Sequence, residues 1–202
     1  MELISVDDTG SGLSANRYEQ LEAGNILFFA RTPIDLPEED CSFLLSQRHL
    51  HIDALPTRPT YGDRILRFFV NLNPERPRVW LTGDGFNKLA ERFAASPFGR
   101  QLAKFGRAMH WPPFERPPYD AAMHRFHNFL KENEEFQRNG TKQRWEFPPG
   151  SSWLVFTDMV SHAVLAGQMA LEQTFIIPRR QMLHPEQAPA AILERLAGVA
   201  LT

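Results

Sequence analysis

A single cysteine, Cys41, is the only thiol in the 202 residues. That excludes a disulfide framework and a thiolate metal cluster, and it suits a reducing compartment. No apolar stretch approaches the roughly 20 residues that span a bilayer, which leaves peripheral membrane contact open. The amino terminus, MELISVDDTGSG, has acidic residues early and no basic-then-apolar run, so a signal peptide is not expected. Whole-domain basicity is absent too: the formal net charge is −2, and nucleic acid is not an expected partner. No G-x-G-x-x-G or Walker loop follows a strand, so nucleotide folds lose their main support. No G-x-S-x-G elbow appears, and Cys41 has no histidine in a recognisable catalytic pattern.

What the chain does have is 16 prolines and 16 phenylalanines, a composition that favours many short elements joined by rigid turns. With 43% hydrophobic and 23% charged residues it reads as an ordinary soluble globular chain, forming one domain over 1–202. Residues 1–23 are polar and Gly/Ser-rich and are expected to form a loose arm. GNILFFARTP reads as a buried strand over Ile26 to Ala30, stopped by Pro33, and DLPEEDCSFLLSQ as helical. ILRFFVNL, bounded by Gly62 and Pro74, reads as a central strand, and PRVWLTGDG as a second one ended by Gly83 and Gly85.

Residues 84–140 are expected to be a helical insertion. Leu89 and Phe93, then Leu102 and Phe105 beyond a break at Pro97, mark one apolar face. Met123, Phe126, His127 and Leu130 mark that of a second, longer helix, which stops at Gly140. RWEFPPGSSWLVFTDMVSHAVLAGQMALEQTFIIP then reads as three strands, and PAAILERLAGVALT as a short amphipathic helix. Strands flanking a helical middle predict an α+β, mainly β chain of sandwich or jelly-roll type with inserted and flanking helices.

Chemistry concentrates in HLHIDALPTRPTYGDRILRFFVNLNP, residues 49–74. On a strand, residues i and i+2 share a face, so His51 and Asp53 can aim an imidazole and a carboxylate at one point. Two such ligands plus a distant histidine make the 2-His-1-carboxylate triad of non-heme Fe(II) oxygenases. His162, in the late strand segment TDMVSHAVLAGQ, is the natural third ligand. His49 also lies two residues from His51, so spacing alone leaves the choice open. Arg67 and the Asn71–Asn73 pair are unusual in an apolar strand. A buried guanidinium needs an anionic partner, either a dicarboxylic co-substrate or a structural Asp or Glu.

The run from His51 through PRVW resembles the Kdo 3-hydroxylases, as do FHNFLKENEEFQRN, EFPPGSSWLVFTDMVSHAVLAGQMALEQTF and LERLAG. These are Fe(II)- and 2-oxoglutarate-dependent dioxygenases of Gram-negative bacteria that convert the lipopolysaccharide sugar Kdo into Ko. The resemblance implies a jelly roll (double-stranded β-helix), O2 as oxidant, a Kdo-containing lipid A precursor as substrate, and a cytoplasmic location peripheral to the inner membrane. It implies iron ligands at His51, Asp53 and His162, with Arg67, Arg78 and Trp80 holding 2-oxoglutarate. It also implies a catalytic role, rather than ligation, for His127. Arg58 and Arg64 are expected as surface arginines near the mouth, facing the anionic sugar. The resemblance also implies a long segment between GNILFF and the H-x-D strand, where this chain is expected to be shortened. The alternatives are therefore a shortened, inactive homologue that binds metal or sugar, and a cupin-like metal enzyme needing no 2-oxoglutarate arginine.

Overall fold

Alternation along RILRFFVN turns Ile65, Arg67, Phe69 and Asn71 to one face of a strand, and that face lines the interior of two packed sheets. The computed structural model describes residues 1–6, 13–30, 49–55, 58–96, 99–100 and 117–202. Its strands are β1 (Leu3–Ser5), β2 (Ile26–Phe29), β3 (Arg64–Asn71), β4 (Arg78–Gly85), β5 (Gln143–Phe147), β6 (Ser152–Phe156), β7 (Val160–Ala166) and β8 (Ala170–Ile177). One sheet runs β1-β2-β6-β3-β8 and the other β5-β4-β7, antiparallel except for the β1–β2 pair. This is the expected mainly-β jelly roll.

Aromatic rings join the two inner faces. Phe69 of β3 meets Trp80 of β4 edge-on at 4.8 Å, and Trp153 of β6 stacks on Phe147 of β5 at 3.9 Å. Both tryptophans are fully buried, so this cluster excludes water from the space between the sheets. A second core lies outside the sheets, under α2 (Phe86–Phe93), α3 (Pro118–Glu132) and α5 (Pro189–Ala197). Leu89, Phe93, Met123, Phe126 and Leu130 are buried there, as their helical spacing predicts.

Several local expectations are revised. Residues 1–23 are not simply a loose arm: β1 extends the larger sheet, and α1 (Ala15–Glu22) follows it. β4 runs through Gly83 to Gly85, with a register shift there. A Cβ at Gly83 would lie 2.6 Å from Ser161 Oγ, so the bulge is a close approach rather than a strand end. The long second helix is two, because Asn133 breaks the chain and caps α4 (Glu134–Asn139) by accepting from the Phe136 amide at 2.9 Å. The carboxy-terminal strand region holds four strands, not three, since Thr157, Asp158 and Met159 form a turn that strand-like neighbours conceal. The DLPEEDCSFLLSQ helix, Leu102 and Phe105 lie outside the described residues.

Candidate metal centre

The H-x-D segment is extended, but it joins the smaller sheet through a single bridge rather than a full ladder. The His51 amide donates to the His162 carbonyl at 3.0 Å, and the His162 amide to the His51 carbonyl at 2.8 Å. Two residues on, the Asp53 amide donates to the Thr157 carbonyl at 2.9 Å. From the helical side, the Gln137 side chain of α4 braces Leu50, accepting from its amide and donating to its carbonyl. The segment is thus pinned on both flanks, and His51, Asp53 and His162 are all buried.

Their ligand atoms lie within 4.8 Å of one another. Asp53 Oδ1 is 3.6 Å from His51 Nε2 and 3.7 Å from His162 Nε2. Each ring is oriented by a backbone carbonyl behind it. His51 Nδ1 lies 2.7 Å from the His49 carbonyl, and His162 Nδ1 lies 3.0 Å from that of Val160. Each Nδ1–H therefore donates backwards, leaving a bare Nε2 lone pair facing the carboxylate, the tautomer a metal ligand needs. Burial pulls the His162 imidazole down to about 4, so it is neutral at neutral pH. Burial pushes the Asp53 carboxyl up, but His162, His51 and Arg67 more than offset this and hold it well below the usual carboxylate range. Two imidazole nitrogens and one carboxylate oxygen suit a divalent first-row metal with open positions, and the residues present fit Fe(II).

The neighbouring side chains divide between structure and ligand capacity. Arg67 Nε comes within 2.9 Å of Asp53 Oδ2 without hydrogen-bond alignment, and neither atom has a hydrogen-bond partner among the described residues. Trp80 lies flat on the His162 ring at 5.2 Å, and its buried Nε1 is likewise unpartnered. Buried donors without a hydrogen-bond acceptor beside the triad suit an anionic ligand there. Arg78 is buried, which lowers its pKa, and its Nη1 donates to the Gly167 carbonyl at 2.5 Å. His127 of α3 stands edge-on to His51, ring centroids 4.9 Å apart. Its Nδ1–H donates to the Ile52 carbonyl at 2.8 Å, and burial lowers its pKa to about 4. Its Nε2 is thus a neutral acceptor next to the triad.

Two sequence expectations change. Arg64 is not a surface arginine: it is fully buried and paired through Nε with Asp158 Oδ2 at 2.8 Å, with its guanidinium over the Phe156 ring. Arg58 is exposed. Asn71 and Asn73 brace a turn, Asn71 Nδ2 donating to the Arg76 and Phe147 carbonyls and its Oδ1 accepting from the Asn73 amide. One acidic residue escaped the sequence reading altogether. Glu172 of β8 accepts a hydrogen bond from Arg67 Nη1, and burial raises its pKa. Its only sequence signal was a lone acid in the strand ALEQTFII, indistinguishable from a solvated edge.

A protein-family model described as 3-deoxy-D-manno-oct-2-ulosonic acid (Kdo) hydroxylase matches residues 45–200. No curated protein sequence matches. Among solved structures, the Kdo hydroxylase KdoO, a non-heme Fe(II) α-ketoglutarate-dependent dioxygenase in complex with α-ketoglutarate and Fe(III), aligns with a TM-score of 0.81 and 25% identity. That alignment covers 100% of this chain and 98% of the other. The apo structure of KdoO aligns at TM-score 0.80 and 26% identity, covering 100% and 97%. Similarity over nearly the whole of both chains, with the triad assembled, gives no support to a shortened, inactive homologue.

Proposed function

The chain belongs to the Kdo hydroxylase family, and we propose that its His51–Asp53–His162 centre carries out Fe(II)- and 2-oxoglutarate-dependent hydroxylation of Kdo at its 3-position, giving Ko. The observation that carries this reading is the convergence of two oriented Nε2 atoms and one carboxylate oxygen in a buried pocket. Fe(II), when bound, supplies the activation of O2 that is coupled to oxidative decarboxylation of 2-oxoglutarate to succinate and CO2.

The protein's own residues bind, orient and exclude water. His51, Asp53 and His162 act as the ligands, while His49 is exposed and contributes its backbone carbonyl behind His51. Arg67 and Arg78 offer guanidinium edges to the carboxylates of 2-oxoglutarate, a recognition that a planar fork performs well. Trp80 keeps the His162 ring in plane and, with Phe69 and Trp153, shuts the far side of the pocket against water. His127 presents a neutral nitrogen at the triad, suited to accepting a hydrogen bond from a sugar hydroxyl. The substrate is a Kdo-containing lipid A precursor. Because that acceptor is lipid-borne, the enzyme works on the cytoplasmic face of the inner membrane by peripheral contact. No described helix is long and apolar enough to cross a membrane.

Protein incubated with Fe(II), 2-oxoglutarate, O2 and a Kdo-bearing lipid A precursor is expected to release succinate and add one oxygen atom to the sugar by mass spectrometry. Succinate release without sugar oxidation overturns the substrate assignment. A folded protein that gives no visible charge-transfer band with Fe(II) and 2-oxoglutarate under argon overturns the oxygenase reading itself.

A further inference from the structure

Glu172 is a carboxylate that the metal triad does not call for. It sits on the inward face of β8 opposite Phe69, and its side chain is 21% exposed. Its Oε1 accepts from Arg67 Nη1, while Arg67 Nε faces Asp53 Oδ2. Arg78 lies within electrostatic reach of the same carboxylate. One acid therefore stands against both arginines assigned above to the co-substrate, with Arg67 between it and the ligand Asp53.

The charge count gives it a purpose. An imidazole that ligates a metal through its Nε2 lone pair carries no charge, so Arg67 and Arg78 are balanced by Asp53 and Glu172. A divalent metal adds two positive charges, and a 2-oxo acid chelating through its oxo and first carboxylate groups removes one. The remaining positive charge is matched by a single distal carboxylate. A monocarboxylic 2-oxo acid leaves it uncovered. Without Glu172, even the dicarboxylate leaves an unmatched positive charge in a poorly solvated pocket, and anions are held more tightly there.

We propose that Glu172 is a specificity-determining residue of the co-substrate pocket, setting its charge to accept one distal carboxylate while still releasing the dicarboxylate product. The inference rests on the placement of 2-oxoglutarate against Arg67 and Arg78 given above. Glutamine at this position keeps an oxygen for Arg67 Nη1 and removes only the charge, so Glu172→Gln separates charge from hydrogen bonding.

The test uses full-length protein with Fe(II) under argon, titrated with 2-oxoglutarate or the monocarboxylic 2-oxobutyrate and followed by the visible charge-transfer band. Succinate is measured by competition. In Glu172→Gln, Kd for 2-oxoglutarate and for succinate is expected to fall about tenfold, the scale of one charge removed at a few ångströms in a half-buried site. Kd for 2-oxobutyrate is expected to fall by clearly less, since it has no distal carboxylate. An unchanged Kd for 2-oxoglutarate overturns the proposal, as does an equal shift for both oxo acids, which places the effect at the chelating end. Should the glutamine variant fail to fold, Glu172→Asp withdraws the carboxylate by one methylene and is expected to shift the same two constants in the same direction. No shift there overturns the proposal as well. A native protein that binds Fe(II) but gives no band with either acid has a different meaning: the oxygenase reading falls, and this inference with it.

Discussion

His51 and His162 are each other's backbone partners: each amide donates to the other's carbonyl, and the ring centroids are 4.7 Å apart. One antiparallel bridge thus brings together two imidazoles that are remote in sequence. Asp53, two residues along the same extended segment, lies 3.6 and 3.7 Å from their Nε2 atoms.

Replacing Asp53 by Ala should remove the one anionic donor of this centre. Fe(II) affinity measured by calorimetry is expected to drop at least about 100-fold, the upper end of what losing a mere outer-shell partner costs. The charge-transfer band with 2-oxoglutarate should vanish. A band that persists means that the ligand set is wrong.

Arg64 and Asp158 form an ion pair in which both side chains are fully buried. Asp158→Ala leaves the guanidinium without its charge partner and is expected to cost about 3–5 kcal/mol in urea unfolding. Asp158 Oδ2 also accepts from the Ile65 amide, so the β3 entry is expected to loosen with it. A cost under about 1 kcal/mol would place the pair at a solvated site.

Acid should destabilise the metal-free protein through its buried histidines. Burial holds His127 and His162 at about 4, below their ordinary value near 6.5. Between those values the unfolded chain binds protons that the folded chain refuses, so stability falls as pH drops from about 6.5 to about 4. Asp158 and Glu172, whose pKa values burial raises, act with the opposite sign and partly offset the loss. Urea midpoints across this range are expected to decline, and His127→Asn should flatten the slope. A slope untouched by that substitution would remove His127 from the account.

Gly167 has φ 102°, and a Cβ there would lie 2.9 Å from both Cα and Cδ of Arg78. Gly167→Ala therefore strains the β7–β8 turn and pushes on the arginine at once, with an expected cost of about 1–3 kcal/mol. Because Arg78 Nη1 is anchored on the Gly167 carbonyl, Kd for 2-oxoglutarate should rise as well. A loss of stability with an unchanged Kd would separate this turn from the co-substrate pocket.

Much of the frame was legible along the chain because it depends on local pattern. β2, β3 and β4 follow from aromatic and β-branched runs bounded by Gly and Pro, and α2 and α5 from spacing and their stops. The division of FHNFLKENEEFQRN was hidden because Asn133 caps as well as it continues a helix, and only the turn geometry decides between them. The Thr157–Met159 turn was hidden because Asp158 is held there by Arg64, a partner distant in sequence.

The sequence by itself determined that His51 and Asp53 are spaced to share one point, and that a late strand supplies a histidine to join them. Spacing is a covalent constraint, and it survives any fold in which that segment is extended. Only the tertiary structure decided which polar residues belong to the site. Arg64 and Arg67 stand three apart on one strand, yet alternation sends the first outward to Asp158 and the second inward to Asp53 and Glu172. A pairing of that kind is set by which strand lies next to which, and strand order is decided by packing of the whole sheet rather than by any local run of residues.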